Sequence, residues 1–144
     1  MRYIISILLI VVSLNCFAQH STLKRAGLFT LAITTDAIGD ALNDEGNKGL
    51  GHAFDAASVG THIYMLFDDN TKFDSFKELA IGTVLYTGIR FAIFNLTYKL
   101  VRGLPWNYVG TTDYFDNTFS QFNEMAFPKI IVLTFVISLD FNER

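Results

Sequence analysis

The sequence predicts an all-α fold: a small antiparallel bundle of four to five helices after a cleaved signal peptide, embedded in a membrane. Apolar residues recur at three- and four-residue steps over most of the chain, which is typical of amphipathic helices. Turns rich in Gly and Asp separate these segments. Of the 144 residues, 51% are hydrophobic and only 17% are charged. A soluble domain usually carries more charge, so the composition favours a membrane protein.

Residues 1–18 have the organisation of a secretory signal peptide. Arg2 supplies the positive charge, residues 3–14 are apolar, and Cys16, Phe17 and Ala18 end the segment in small-x-small form. We therefore expect cleavage after Ala18 and export of a single helical domain, residues 19–144. The alternative is an uncleaved transmembrane helix, which the short apolar core disfavours. Because Cys16 is the only cysteine, the mature chain would contain no disulfide.

Removal of the signal peptide changes the overall balance of the chain. The whole chain has a mean hydropathy of +0.32, and the mature part falls to about +0.1, between soluble domains and polytopic membrane proteins. Ten basic residues then stand against fourteen acidic ones. They form no basic patch, so we expect no nucleic acid partner.

The first two mature helices are predicted to form an antiparallel pair. Residues 23–43 place an apolar face on one side of the first helix, and a turn at residues 44–49 contains Gly46 and Gly49. The short turn returns a second helix, residues 50–67, beside the first. Small residues on this second helix allow close backbone approach: Ala53, Ala56, Ala57 and Gly60.

The remaining segments start at a capping signal. Ser75 and Glu78 have the spacing of a capping box and open the third and most apolar long helix, residues 79–98. A turn at residues 103–105 ends the pattern. Residues 113–123 then read as a short amphipathic helix. Residues 129–141 form a last segment, helical or β, in which ten residues carry no charge.

The membrane prediction depends on the third helix and the residues after it. No mature segment has eighteen uncharged apolar residues, and the third helix, interrupted by Arg90 and Asn95, comes nearest. Aromatic residues crowd just beyond its end, as in an interfacial belt. We therefore expect membrane lipid as a partner. The alternative is a soluble exported helical module that binds an apolar ligand or a protein.

Six ionisable residues define a candidate polar network. Asp36 and Asp40 lie on one stripe of the first helix, and Arg90 in the third helix needs carboxylate partners if it is buried. We expect Asp36, Asp40, Asp55 and Arg90 to converge inside the bundle, with His52 and His62 nearby, and to fix the helix register. The alternative is a proton or ion relay through the same groups.

A metal site is the other alternative for these residues. His52, Asp55 and His62 lie on one side of the second helix, and imidazole and carboxylate suit Zn²⁺, Fe²⁺ or Mn²⁺. The spacing matches no established metal motif. We therefore expect no cofactor, with a divalent metal as the alternative.

A second cluster of residues is a candidate interaction surface: Arg102, Trp106, Tyr108 and Tyr114. Trp and Tyr give amphipathic contact area beside a turn set by Gly103 and Pro105. The alternative is a loop packed over the end of the bundle. The sequence therefore predicts a small exported membrane or envelope protein that acts by protein or lipid interaction and is not an enzyme. The alternatives are a metal-dependent or ion-coupled membrane protein and a soluble exported binding module.

Overall fold

A computed structural model of the chain describes residues 21–105 and Tyr108. This part forms three α-helices: α1 (Ser21–Asp44), α2 (Lys48–Phe67) and α3 (Phe76–Arg102). It contains no strand, so the all-α class is confirmed for the described residues. The predicted signal peptide and the segments at 113–123 and 129–141 lie outside them, and a count of four to five helices stays a prediction.

A tight turn reverses the chain between α1 and α2. Gly46 has φ +83°, a left-handed conformation that favours glycine. The Asn47 amide donates to the Leu42 carbonyl at 2.9 Å, and the Gly46 amide donates to Asn43 at 3.0 Å. This pair of bonds satisfies the last carbonyls of α1 in the Schellman arrangement. The turn makes α2 run back along α1, as the sequence predicted.

Contacts along α1 and α2 confirm the antiparallel direction. The Lys24 ammonium donates to Asp68 at 2.8 Å near one end. Further along, the rings of Phe29 and His62 lie 6.5 Å apart. Residues later in α1 contact residues earlier in α2, so the two helices pack in one continuous antiparallel register.

The third helix runs parallel to α1. Its N-cap is Ser75, whose hydroxyl accepts a hydrogen bond from the Glu78 amide at 3.1 Å. The Glu78 carboxylate accepts from the Asp74 amide at 3.5 Å, one residue before the position that a capping box uses. Asp36 and Asp44 on α1 each contact a residue 54 positions later, Arg90 and Tyr98. A constant separation of this kind requires parallel helices.

α1 is the central helix of the described part, because α2 and α3 both pack along it and barely touch each other. Its most buried face carries small residues, including Ala32, Ala37 and Ala41. In the half of the bundle where α1 begins and α2 ends, a hydrophobic cluster joins the three helices: Ala26, Phe29, Ile33, Met65, Leu85 and Ile89. α2 buries only Gly51, Ser58 and Met65, seven residues apart. Each outer helix therefore uses one narrow stripe for packing.

The outward faces of α2 and α3 are apolar. Their large exposed side chains are Leu50, Val59, Ile63, Tyr64, Leu66 and Phe67 on α2, and Phe76, Leu79, Val84, Leu96 and Leu100 on α3. α3 is long and apolar enough to cross a membrane, and only 22% of its most apolar window is buried. The core helix of a soluble protein is mostly buried, whereas the described residues leave most of this apolar surface uncovered.

Candidate functional site

The centre of the α1–α3 contact is an ion pair. Arg90 Nη1 donates to Asp36 Oδ2 at 2.6 Å, and the guanidinium lies over the Phe94 ring, 4.1 Å from its centroid. Thr83 and Thr87 donate to carbonyls of their own helix, one turn back. The Arg90 and Asp36 side chains keep 40% and 33% of their surface exposed. The pair is therefore half-buried: α1 and α3 cover part of it, and the rest of its surface is open.

A close helix crossing lies one turn away, between α1 and α2. A Cβ atom on Gly39 would lie 3.0 Å from the Gly51 carbonyl oxygen, and one on Gly51 would lie 2.9 Å from the Gly39 oxygen. Both distances are far shorter than ordinary contacts, so the two backbones touch only because neither residue has a side chain.

Two polar side chains cover this crossing. Asn43 Nδ2 donates to Asp55 Oδ2 at 3.1 Å. The Oδ1 atoms of both residues are buried and accept no hydrogen bond within the described part of the chain. Each lies about 2 Å from the place where a glycine Cβ would be, directly over Gly39 or Gly51. Such placement gives weak Cα–H···O contacts, which recur where helices approach closely.

The three remaining members of the predicted network lie in different surroundings. Asp40 is exposed and lies close enough to Asp36 and Asp55 to feel their charge. His52 is 71% exposed and reaches Asp55 at 3.5 Å. His62 lies far from Asp40 and His52. Its Nδ1 is 3.0 Å from the Ser58 carbonyl, and its ring is 5.5 Å from that of Tyr86.

The structure therefore brings Asp36, Asp40, Asp55 and Arg90 into one region but separates the two histidines. Ten helical residues put His52 and His62 about 15 Å apart along the axis. They cannot share one metal ion with Asp55. No three His, Cys, Asp or Glu side chains among residues 21–105 form a group that could hold a metal.

A polar cluster that the sequence did not predict lies at the end where α1 and α3 finish. The Tyr98 hydroxyl donates to Asp44 Oδ2, and Arg102 Nη1 donates to the Tyr98 oxygen at 2.6 Å. Arg102, one member of the predicted interaction surface, thus contacts Tyr98 and Asp44 at the end of the bundle. Tyr108, a second member, donates its amide to the Pro105 carbonyl at 2.9 Å. Trp106 and Tyr114, the other members of the predicted interaction surface, lie outside the described residues.

A denser cluster closes the opposite end. Arg25 is 1% exposed, donates to the Lys72 carbonyl at 3.2 Å, lies 4.6 Å from the Phe73 ring and faces Glu78 at 3.5 Å. Beside it, Asp68 accepts hydrogen bonds from three side chains: Lys24, Tyr64 and Thr71. Lys24 and Arg25 therefore tie the start of α1 to the connection between α2 and α3.

This end should make stability depend on pH. The hydrogen bond from Lys24 holds the pKa of the Asp68 carboxyl below its ordinary value, against burial, which raises it. A carboxyl whose folded pKa is lowered stabilises the fold above its unfolded pKa of about 3.9, and that contribution is lost as the pH falls through the folded pKa. We expect Asp68→Asn to be less stable than wild type at pH 7, with the gap closing toward pH 2.

Denaturant unfolding from pH 7 to pH 2 would measure this gap. Asp69→Asn is the matched control, because Asp69 is 88% exposed and pairs with the half-exposed Lys72; its effect should be small at every pH. A gap for Asp68→Asn that stays constant with pH would contradict the prediction.

Chemically, these contacts neutralise charge and join helices. Neither a protein-family model, nor a curated protein, nor a solved structure matches the chain.

Proposed function

We propose that the protein is a small integral membrane protein whose three described helices cross the bilayer, and that it acts by binding lipid or protein rather than by catalysing a reaction. We include in this proposal export through the signal peptide predicted at residues 1–18 and location in the cell envelope. The distribution of charge along the helices carries the argument.

Charged residues collect in two layers at the ends of the helices. Arg25 and Asp44 are nineteen residues apart on α1, which separates the layers by about 28 Å. The hydrocarbon core of a bilayer is about 30 Å thick. On α3, Glu78 lies beside Arg25 and Arg102 beside Asp44, so the same two layers bound this helix. The spacing fits three helices that span one bilayer.

Between these layers, the described ionisable groups mostly contact other helices. Arg90 pairs with Asp36, and Asp55 bonds Asn43. Ionised groups at membrane depth are costly unless they pair inside the bundle. Apolar side chains also face outward between the layers, as Val59 and Val84 show with 58% and 47% exposure, and Asp40 and His52 are the exposed ionisable groups described there. A water-facing surface would reverse this arrangement.

Two experiments test the membrane location. Alkaline carbonate should leave the protein in the membrane pellet, whereas a soluble exported module would be released. In a Cys16→Ser background, single cysteines at Val59 and Val84 should resist a membrane-impermeant maleimide until detergent is added. Cysteines at Glu45 and Asp69, both exposed at helix ends, should label in intact membranes on the accessible side, or in opened vesicles. Equal labelling at all four positions, with carbonate release, would refute the proposal.

Asp40 favours a second candidate function, an ion-coupled membrane protein. It is an exposed carboxylate one turn from the Asp36–Arg90 pair, and an ionisable group at membrane depth often marks a proton or ion path. In proteoliposomes with a pH-sensitive dye inside, proton flux that depends on Asp40 would support this candidate. Flux unchanged in Asp40→Asn would remove it.

A further inference from the structure

A line of three carboxylates runs along α1 from its C-terminal end toward the middle of the bundle. Asp44, Asp40 and Asp36 are four residues apart, so they lie one above another on one side of the helix at steps of about 6 Å. Asp40 is exposed and lies close enough to Asp55 on α2 and Arg90 on α3 to feel their charge. The line therefore borders the space between α2 and α3.

A second line of polar residues runs along α2 from the same end of the bundle. Lys48, His52 and Asp55 are four and three residues apart, so they share one side of this helix. Lys48 and His52 are exposed. Asp55 reaches α1, because its carboxylate accepts a hydrogen bond from Asn43 at 3.1 Å. The two lines therefore lie side by side.

The ionisable groups at this end stay open although they lie between helices. Arg90 and Asp36 keep 40% and 33% of their side-chain surface exposed, and Asp55 keeps 35%. α2 and α3 both pack on α1 but barely touch each other, so no helix contact closes the space between them. We call this space the polar cleft, and its lining is Asp36, Asp40, His52, Asp55 and Arg90.

Apolar side chains close the inner end of the polar cleft. Beyond Asp36, toward the start of α1, lie Ile33 and Phe29, which are 0% and 6% exposed. They pack in one cluster with Met65 of α2 and Leu85 of α3. Because this cluster joins all three helices, the line of carboxylates on α1 is open only toward the end where α1 finishes.

The polar cleft reaches well into the hydrocarbon layer if the helices span a membrane. Asp36 lies eight residues from Asp44, about 12 Å along α1, and eleven residues from Arg25, about 16 Å. Ionisable groups at such depth are costly in lipid, and in membrane proteins they face the bundle interior or a water-filled cavity. The described helices cover the groups of the polar cleft only in part, so the rest of their surface requires water.

We propose that the polar cleft is a water-filled vestibule, which opens at the end where α1 finishes and brings water to the Asp36–Arg90 pair, while the apolar cluster seals its inner end. Small hydrophilic solutes then reach the middle of the embedded bundle from one side of the membrane only. The inference rests on the proposed membrane location and goes beyond it, because it gives the bundle an interior that solvent can reach.

Two adjacent residues of α2 provide the test. His52 lines the polar cleft, whereas Ala53, also exposed, lies about 160° around the helix from Asp55 at 100° per residue. In a Cys16→Ser background and intact membranes, His52→Cys should react with a small charged methanethiosulfonate about tenfold or more faster than Ala53→Cys, because the reactive thiolate needs water around it. Asp40→Cys, on the facing helix, should react like His52→Cys. Both should react from the side on which Glu45→Cys is labelled.

The other outcomes separate this inference from the proposed function. Protection of His52→Cys and Asp40→Cys until detergent is added, with the protein still held in the carbonate pellet, would overturn only the vestibule. Reaction of both from the side on which Asp69→Cys is labelled would show that the apolar cluster is no seal, and would overturn it as well. Equal reaction at His52→Cys, Asp40→Cys and Ala53→Cys, with release by carbonate, would refute the membrane location and the vestibule together.

Discussion

Gly39→Ala and Gly51→Ala are each expected to lower the free energy of unfolding by about 2 kcal/mol. Either methyl group would lie about 3 Å from a backbone carbonyl of the facing helix and closer still to the side chain of Asp55 or Asn43. Overpacking of this kind costs about 1–3 kcal/mol, and more where the obstacle is backbone. Alanine recovers up to about 1 kcal/mol through its higher helix propensity. The cost of the steric clash is larger than the gain in helix propensity, because α1 and α2 can relieve the clash only by moving apart along their whole contact.

Gly60→Ala is the matched control. Gly60 is also on α2, is exposed, and has nothing within 4 Å of the place where its Cβ would be. The same exchange should therefore be neutral or stabilise by up to about 1 kcal/mol. Denaturant unfolding of each variant in the same detergent, followed by circular dichroism, gives the comparison. Equal stabilities for Gly39→Ala, Gly51→Ala and Gly60→Ala would show that the close crossing does not hold the helices.

Arg90→Met is expected to destabilise the protein by about 2 kcal/mol. It leaves the Asp36 carboxylate without the guanidinium that lies 2.6 Å away. Removal of one partner of a fully buried pair costs about 3–5 kcal/mol, and surface pairs contribute under about 1 kcal/mol. The value expected here lies between them because both side chains keep a third or more of their surface exposed.

A double-mutant cycle separates pairing from side-chain loss. Asp36→Leu should also destabilise, and Arg90→Met combined with Asp36→Leu should be more stable than Arg90→Met alone, because no charge is then left unpaired. Lys72→Met is the control, since it removes an exposed cation paired with Asp69 and should change stability by less than about 0.5 kcal/mol. Strictly additive effects at positions 36 and 90 would contradict a coupled pair.

Local sequence signals predicted the described helices well. The signals that end or begin these helices are local: they are Gly46, Ser75 and Gly103. Each depends on the residue's own backbone conformation or on a residue three positions away, so one sequence is enough to identify them. The bounds predicted for the three described helices all lie within four residues of those observed. The sequence also predicted that Arg90 meets carboxylates, because an unneutralisable cation in an apolar helix needs one, but it did not single out Asp36 from Asp40 and Asp55.

Features that depend on how the helices pack against one another were harder to predict from the sequence. The apolar pattern of α1 places Leu28, Leu31, Ala32, Ile38 and Leu42 on one face, and of these Ala32 and Ile38 are buried while the three leucines are only half-buried. The tightest contacts use Ala32, Ala37 and Ala41. A helix packed between two neighbours buries the small residues that let both approach. His52 and His62 were placed together because they share a helix side, although they are ten residues apart. Arg25 gave no local signal at all, since its acceptors come from the connection before α3.

The parallel register of α1 and α3 has a consequence for the order of assembly. The α1–α2 hairpin closes through a turn of three residues, so it can form as soon as both helices exist. Contacts between α1 and α3 join positions 54 residues apart and form only when α3 docks on α1. Until then Asp36 has no cation beside it. Docking of α3 therefore both completes the described bundle and brings the cation that pairs with Asp36.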